Sequence, residues 1–170
     1  MYSKELFRDY RCFPNGYFFH EALSKEQMKH AIPIVIVILA FVGLADSVYL
    51  TLAHYRIVDP VTLETSGVCN LATRACESVI LSPQATIAGI PHAVLGAGYF
   101  ALLLTAGLIR VFTGRWFAPW PTFAVLLVGL GWSAFLTQEL LLRLHAPCPF
   151  CLTAHGINAV VLALYAVSLQ

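Results

Sequence analysis

The chain has 170 residues, 59% of them hydrophobic and only 11% charged, with a net charge of +1 and a mean hydropathy of +0.76. Soluble domains carry about a quarter of their residues as charges, so this balance excludes an ordinary water-soluble globule and points to a membrane protein. A net charge so close to zero gives no basis for nucleic-acid binding or for a strongly acidic substrate.

Residues 1–30 read as a polar and aromatic cytoplasmic extension, without helical periodicity over the first 27, and Met28 could serve as an alternative start. Residues 31–170 form the candidate membrane domain. Four apolar runs, at 32–52, 87–109, 121–142 and 148–169, approach the roughly 20 residues a helix needs to cross a bilayer. The first is too long for a usual signal core, and no small-x-small cleavage site follows it. The expected fold class is therefore an all-α integral membrane protein. It is a four-transmembrane-helix bundle with a long extracytoplasmic loop, residues 53–86, between its first two helices.

Basic residues set the expected orientation. Lys4, Arg8, Arg11, Lys25 and Lys29 precede the first span, and Arg110 and Arg115 separate the second from the third. Only Arg56, Arg74 and Arg143 fall on the other side. Seven against three places both termini in the cytoplasm, with Trp116 and Trp120 as an interfacial belt on that side.

Four of the five cysteines then face outward, where disulfides form and persist; Cys12 alone is cytoplasmic and reads as a thiol without a role. Cys69 and Cys76, separated by six residues, lie in the long loop. Cys148 and Cys151 sit in "HAPCPFCLTAHG", with Cys148 at an N-cap position, Pro149 at the first helical position and Cys151 one turn in. The positive end of the helix dipole favours a thiolate there, and makes Cys148 the sulfur expected to exchange with another thiol. Two structural disulfides are the alternative, although CxxC at a helix start is an uncommon staple. A four-cysteine zinc site has tolerable spacing but would be prone to lose its metal in an oxidising compartment. Covalent haem attachment is excluded, because Leu152 and not histidine follows Cys151.

At about 100° per residue, Cys148, Cys151, His155 and Asn158 fall within roughly an 80° arc of one helix. A polar stripe thus runs from the CxxC into the membrane. In "GIPHAVLG" of the second span, Gly89, His92 and Gly96 share a face. Each histidine alone is as readily a packing residue as a functional one. Both together, near one membrane face, suit hydrogen bonding to a quinone carbonyl. Gly89, Gly96 and Gly156 are expected to serve close helix packing. Asp46, Ser47 and Glu139 are expected to form interhelical polar contacts.

The loop pair Cys69 and Cys76, "CESVILS", "GIPHAVLG" and "CPFCLTAHGIN", in that order, resemble the vitamin K epoxide reductase family, and the likeness runs from the first span to the carboxyl terminus. CxxC on the last span distinguishes this pattern from DsbB-type enzymes. The resemblance implies a four-helix bundle around a quinone, ubiquinone or menaquinone, in the inner (plasma) membrane. It implies that Cys69 exchanges with a thioredoxin-fold, DsbA-like protein, that Cys76 attacks Cys148, and that Cys151 delivers electrons to the quinone. His92 stands where the family often has a polar asparagine, His155 where animal members have tyrosine, and Asn158 continues their stripe. Ser82 matches a serine of the loop that caps the site. Many relatives carry a fifth span and a fused thioredoxin-like domain. With the last residue, Gln170, directly after the fourth span, a separate partner is expected. Quinone-linked thiol oxidation is the expected activity. Epoxide reduction on the same site, or a non-catalytic membrane protein stapled by two disulfides, are its alternatives.

Overall fold

The computed structural model describes residues 17–58, 79–145 and 148–169. Cys12, Cys69 and Cys76 lie outside them, as does most of the amino-terminal extension. Among the described residues, four helices have the length and apolarity to cross a membrane. α1 covers Tyr17–His54, α2 His92–Thr113, α3 Pro119–Gln138 and α4 Pro149–Ser168.

The helix boundaries follow from local chemistry. α1 starts well before the apolar run: residues 17–29 continue the same helix although the first 27 residues carry no helical periodicity. At its other end, Arg56 adopts a left-handed φ of 54°. Ile57 N–H bonds the Leu52 carbonyl (3.0 Å) and Arg56 N–H that of Ala53 (3.1 Å), the two bonds of a Schellman motif. The second span also starts later than its hydropathy suggests. Thr86–Ile87 (β1) pairs antiparallel with Ile90–Pro91 (β2), across a two-residue turn in which Ala88 (φ 50°) and Gly89 (φ 81°) are both left-handed. Gly89 therefore belongs to a turn and not to a helix face shared with His92. Pro91 then takes the N-cap of α2, which suits a residue with no N–H to place in the ladder. α3 runs on into a π-helical turn at Glu139–Arg143, closed by Leu144 N–H on the Glu139 carbonyl (3.0 Å).

α1 is the central helix. It packs most extensively on α2 and also on α4, while α3 packs on α4; α2 and α3 meet at few points. Two buried clusters hold this arrangement. Ile36, Ala40, Phe100, Leu103, Leu126, Ile157, Val161 and Tyr165 fill the deeper one. Leu50, Ala53, Val79, Ile80, Leu140 and Cys148 form the other, at the end where α4 begins. Many large apolar side chains instead point outward, such as Phe41, Leu102, Phe112 and Val128. Where the surrounding solvent is lipid, such exposure carries no hydrophobic cost, and close contact between small residues brings helices together. A methyl group built on Gly96 would lie 3.0 Å from Ser47 Oγ, so that glycine does serve the α1–α2 approach; one on Gly156 would meet nothing within 4 Å. The packing expectation thus holds for Gly96 and fails for Gly156.

The left-handed arginine identifies an improvable position. Replacing Arg56 with Gly should stabilise the detergent-solubilised protein by about 0.5–1 kcal/mol, because glycine adopts this conformation without the Cβ penalty. A thermal midpoint equal to or below that of the parent would contradict the assignment.

Candidate functional site

Cys148 occupies the N-cap of α4 with extended dihedrals (φ −81°, ψ 115°) and Pro149 the first helical position. The Cys148 carbonyl accepts the Leu152 N–H at 3.0 Å. The sequence placement of both residues is thereby met. The Cys148 side chain is fully buried, at 0% exposure. It belongs to one buried cluster with Leu50 and Ala53 of α1, Leu140 of the π-turn, and Val79 and Ile80 at the exit of the long loop. Cys151, one turn on, is half-buried and packs against this cluster.

His155 lies one further turn along α4 and lines an open groove of about 470 Å³ against α3. Leu130, Ala134, Leu141 and Leu142 supply its walls, with Ser133, Thr137 and Gln138 completing a lining whose exposed surface is almost wholly apolar. Such a surface suits a flat apolar ligand. Asn158 continues the stripe but is 2% exposed, and both ends of its amide are bonded. Tyr99 Oη donates to Asn158 Oδ1 (2.5 Å), and Asn158 Nδ2 donates to Ser133 Oγ (2.9 Å). This bridge links α2, α4 and α3 and sets Asn158 behind Ser133.

His92 stands elsewhere. Its Nε2 donates to the Gln84 carbonyl at 3.1 Å, its ring lies edge-on to Trp132 (5.6 Å between centroids), and its Nδ1 is buried without a partner among the described residues. Ser82 fixes the loop exit: its Oγ and N–H both donate to the Val79 carbonyl, at 2.8 and 3.2 Å. The two histidines thus flank α3 from different sides, with His155 on the groove and His92 on Trp132. Glu139 does not bridge helices; it pairs with Arg143 of its own turn at 3.3 Å. Asp46 Oδ2 is buried without a hydrogen bond among the described residues.

Several participants went unread in the sequence. Tyr99 continues the His92–Gly96 spacing by one more turn, and Ser133 with Thr137 repeats that i, i+4 interval on α3; polar residues so spaced within spans were a usable signal. His54 had none. Its Nδ1 meets the Ile80 carbonyl at 2.7 Å, 26 residues away.

Fold and site together define a polytopic membrane protein with a pair of cysteines at the start of its last helix and, one turn beyond Cys151, a histidine on an open groove. The model of the vitamin K epoxide reductase family matches residues 34–166, and the chain belongs to that family. No curated protein and no solved structure gives a significant match. The family's enzymes use quinones, and membership makes this chain an oxidoreductase of the thiol/disulfide or epoxide-reducing kind.

The Tyr99–Asn158 bond is open to direct measurement. A Tyr99→Phe and Asn158→Leu double-mutant cycle, read by denaturant titration in detergent, should give a coupling of about 0.6–1.7 kcal/mol. Strict additivity would show that the contact contributes nothing.

Proposed function

We propose that this protein generates disulfides. It oxidises a separate, extracytoplasmic thioredoxin-fold partner and passes the electrons through Cys69 and Cys76, then Cys148 and Cys151, to a membrane quinone. The reading places the protein in the plasma (inner) membrane. The excess of basic residues beside the ends opposite the CxxC puts both termini in the cytoplasm.

One observation carries it: Val79 shares a buried cluster with Cys148. Three residues of chain span at most about 10 Å, so Cys76 is tied to the neighbourhood of Cys148, whereas Cys69, ten residues from Val79, has a reach of about 35 Å. The burial of Cys148 adds to this. A fully enclosed sulfur is closed to the active site of a folded protein but open to a short segment of its own chain. Division of labour follows, with Cys69 turned to the partner and Cys76 to the bundle.

The exchange balances as two successive displacements. The Cys76 thiolate attacks the Cys148 sulfur of a Cys148–Cys151 disulfide, and Cys151 leaves as a thiolate. Cys69 then attacks Cys76 and Cys148 leaves, so the loop dithiol is oxidised and the helix dithiol reduced. The apolar walls of the groove beside His155 suit a quinone ring, and His155 and Gln138 at its lining are the residues that could turn a donor toward a quinone carbonyl. A quinone there would take up two electrons and two protons. The helix dipole at Cys148 favours its thiolate as a leaving group, and the proline at the first helical position keeps the turn that presents both sulfurs rigid.

Purified protein should oxidise a reduced thioredoxin-fold protein with quinone as acceptor, and Cys148→Ser or Cys151→Ser should bring turnover to background. Turnover of a quinone epoxide alone would overturn the proposal. His155→Leu should raise the quinone KM about tenfold, the worth of one hydrogen bond, with kcat for a saturating quinone changed less. An unaltered KM would remove the groove from the site.

A further inference from the structure

The exit of the long loop is pinned at two successive carbonyls. Val79 O is held by Ser82, through its hydroxyl and its N–H. Ile80 O is held by His54, from the last turn of α1, at 2.7 Å. Because the partner is a carbonyl oxygen, His54 Nδ1 must carry the hydrogen, and it does so both in one neutral tautomer and in the imidazolium. Tyr55 stands edge-on against the ring, with 5.4 Å between centroids. Ser82 closes only a local turn. Among the described residues His54 alone provides a side-chain hydrogen bond from the bundle to Val79 or Ile80; that of His92 reaches Gln84, four residues further from Cys76. His54 also sits one residue from Ala53, which packs in the Cys148 cluster.

We infer that His54 is a positioning residue for the thiol relay, clamping Ile80 so that the loop enters the bundle beside Cys148. The inference rests on the proposed exchange between Cys76 and Cys148. From Ile80, four residues of chain give Cys76 a reach of at most about 14 Å. Without that hydrogen bond Val79 and Ile80 are held in the Cys148 cluster by apolar contacts that do not fix the direction of the chain, so Cys76 spreads over a larger volume and its effective concentration at Cys148 falls. The hydrogen bond costs little to form, since the Schellman motif at Leu52–Ile57 already orders the backbone that carries the imidazole. The clamp acts on the intramolecular step alone; it touches neither the groove nor the sulfur atoms.

The test uses full-length protein in lipid nanodiscs, carrying Cys12→Ser, Cys69→Ser and Cys151→Ser so that Cys76 and Cys148 are its remaining thiols. The rate of Cys76–Cys148 disulfide formation under a mild oxidant is followed by gel shift and mass spectrometry. His54→Leu should slow it about five- to tenfold, as loss of a tether predicts. Asn places an amide N–H where Nδ1 stood, and Asp is its isostere without a donor. His54→Asn should therefore stay within about twofold of the parent and His54→Asp should match His54→Leu. Asn and Asp match in shape but differ in charge as well as in the donor, so the two are compared at high ionic strength, which screens the added carboxylate; the pair then decides the matter even if His54→Leu fails to fold. Equal rates for His54→Asn and His54→Asp would overturn the clamp while leaving the relay standing. Absence of any Cys76–Cys148 bond in the parent would overturn the relay, and the clamp with it.

Discussion

A thiol buried at the amino-terminal mouth of a transmembrane helix is the constraint around which the rest of this molecule is arranged. Cys148 must be dry enough to face the helix dipole with little screening, yet touched by a segment that can bring another sulfur to it. Leu50 and Ala53 wall it from one side and Leu140 from another; Val79 and Ile80 close it on the side of the loop. Each wall comes from a different stretch of chain, so this one side chain draws α1, the loop exit, the end of α3 and the start of α4 to a single point. The π-turn at Glu139–Arg143 contributes Leu140 to that wall. Such turns insert a residue into a helix and redirect side chains, which is why they recur at functional sites.

Below this mouth the problem changes, because lipid gives helices no hydrophobic reason to associate. The deeper half is held instead by interdigitation and by one polar bridge. Phe100 rests on Gly43, where an added methyl group would come within 2.5 Å of the ring, and Tyr99 rests on Gly129 in the same way at 2.8 Å. The second contact also delivers the phenol to Asn158, whose other end holds Ser133. α2 and α3 touch little elsewhere, so this bridge ties the two helices that direct packing leaves apart. A groove lined by α3 and His155 stays open on the other side of Ser133.

Much of this was legible in the linear chain. Composition and four apolar runs determined a four-span membrane protein, since a bilayer imposes a minimum length on any helix that crosses it. Proline after cysteine determined the start of α4, because a residue without an N–H fits where the helix needs none. The family was legible from the order of its motifs. What hydropathy could not register was geometry that leaves average polarity unchanged. Residues 87–91 are as apolar as a span, but Ala88 and Gly89 turn them into a hairpin. Residues 17–29 lack an apolar face, and yet continue α1.

The tertiary structure alone decided which polar groups meet. Sequence put His92 and His155 near one membrane face and Asn158 further in on the stripe of His155, since helical rise and periodicity fix depth and direction along each span. Only packing assigned His155 to the groove, Asn158 to a bridge behind it and His92 to the far side of α3, because the rotation of each helix about its axis is set by its neighbours. His54 is the extreme case. A bond between residues 26 positions apart, made to a backbone carbonyl, leaves no mark on either residue type, and only the closing of the chain on itself brings the two together.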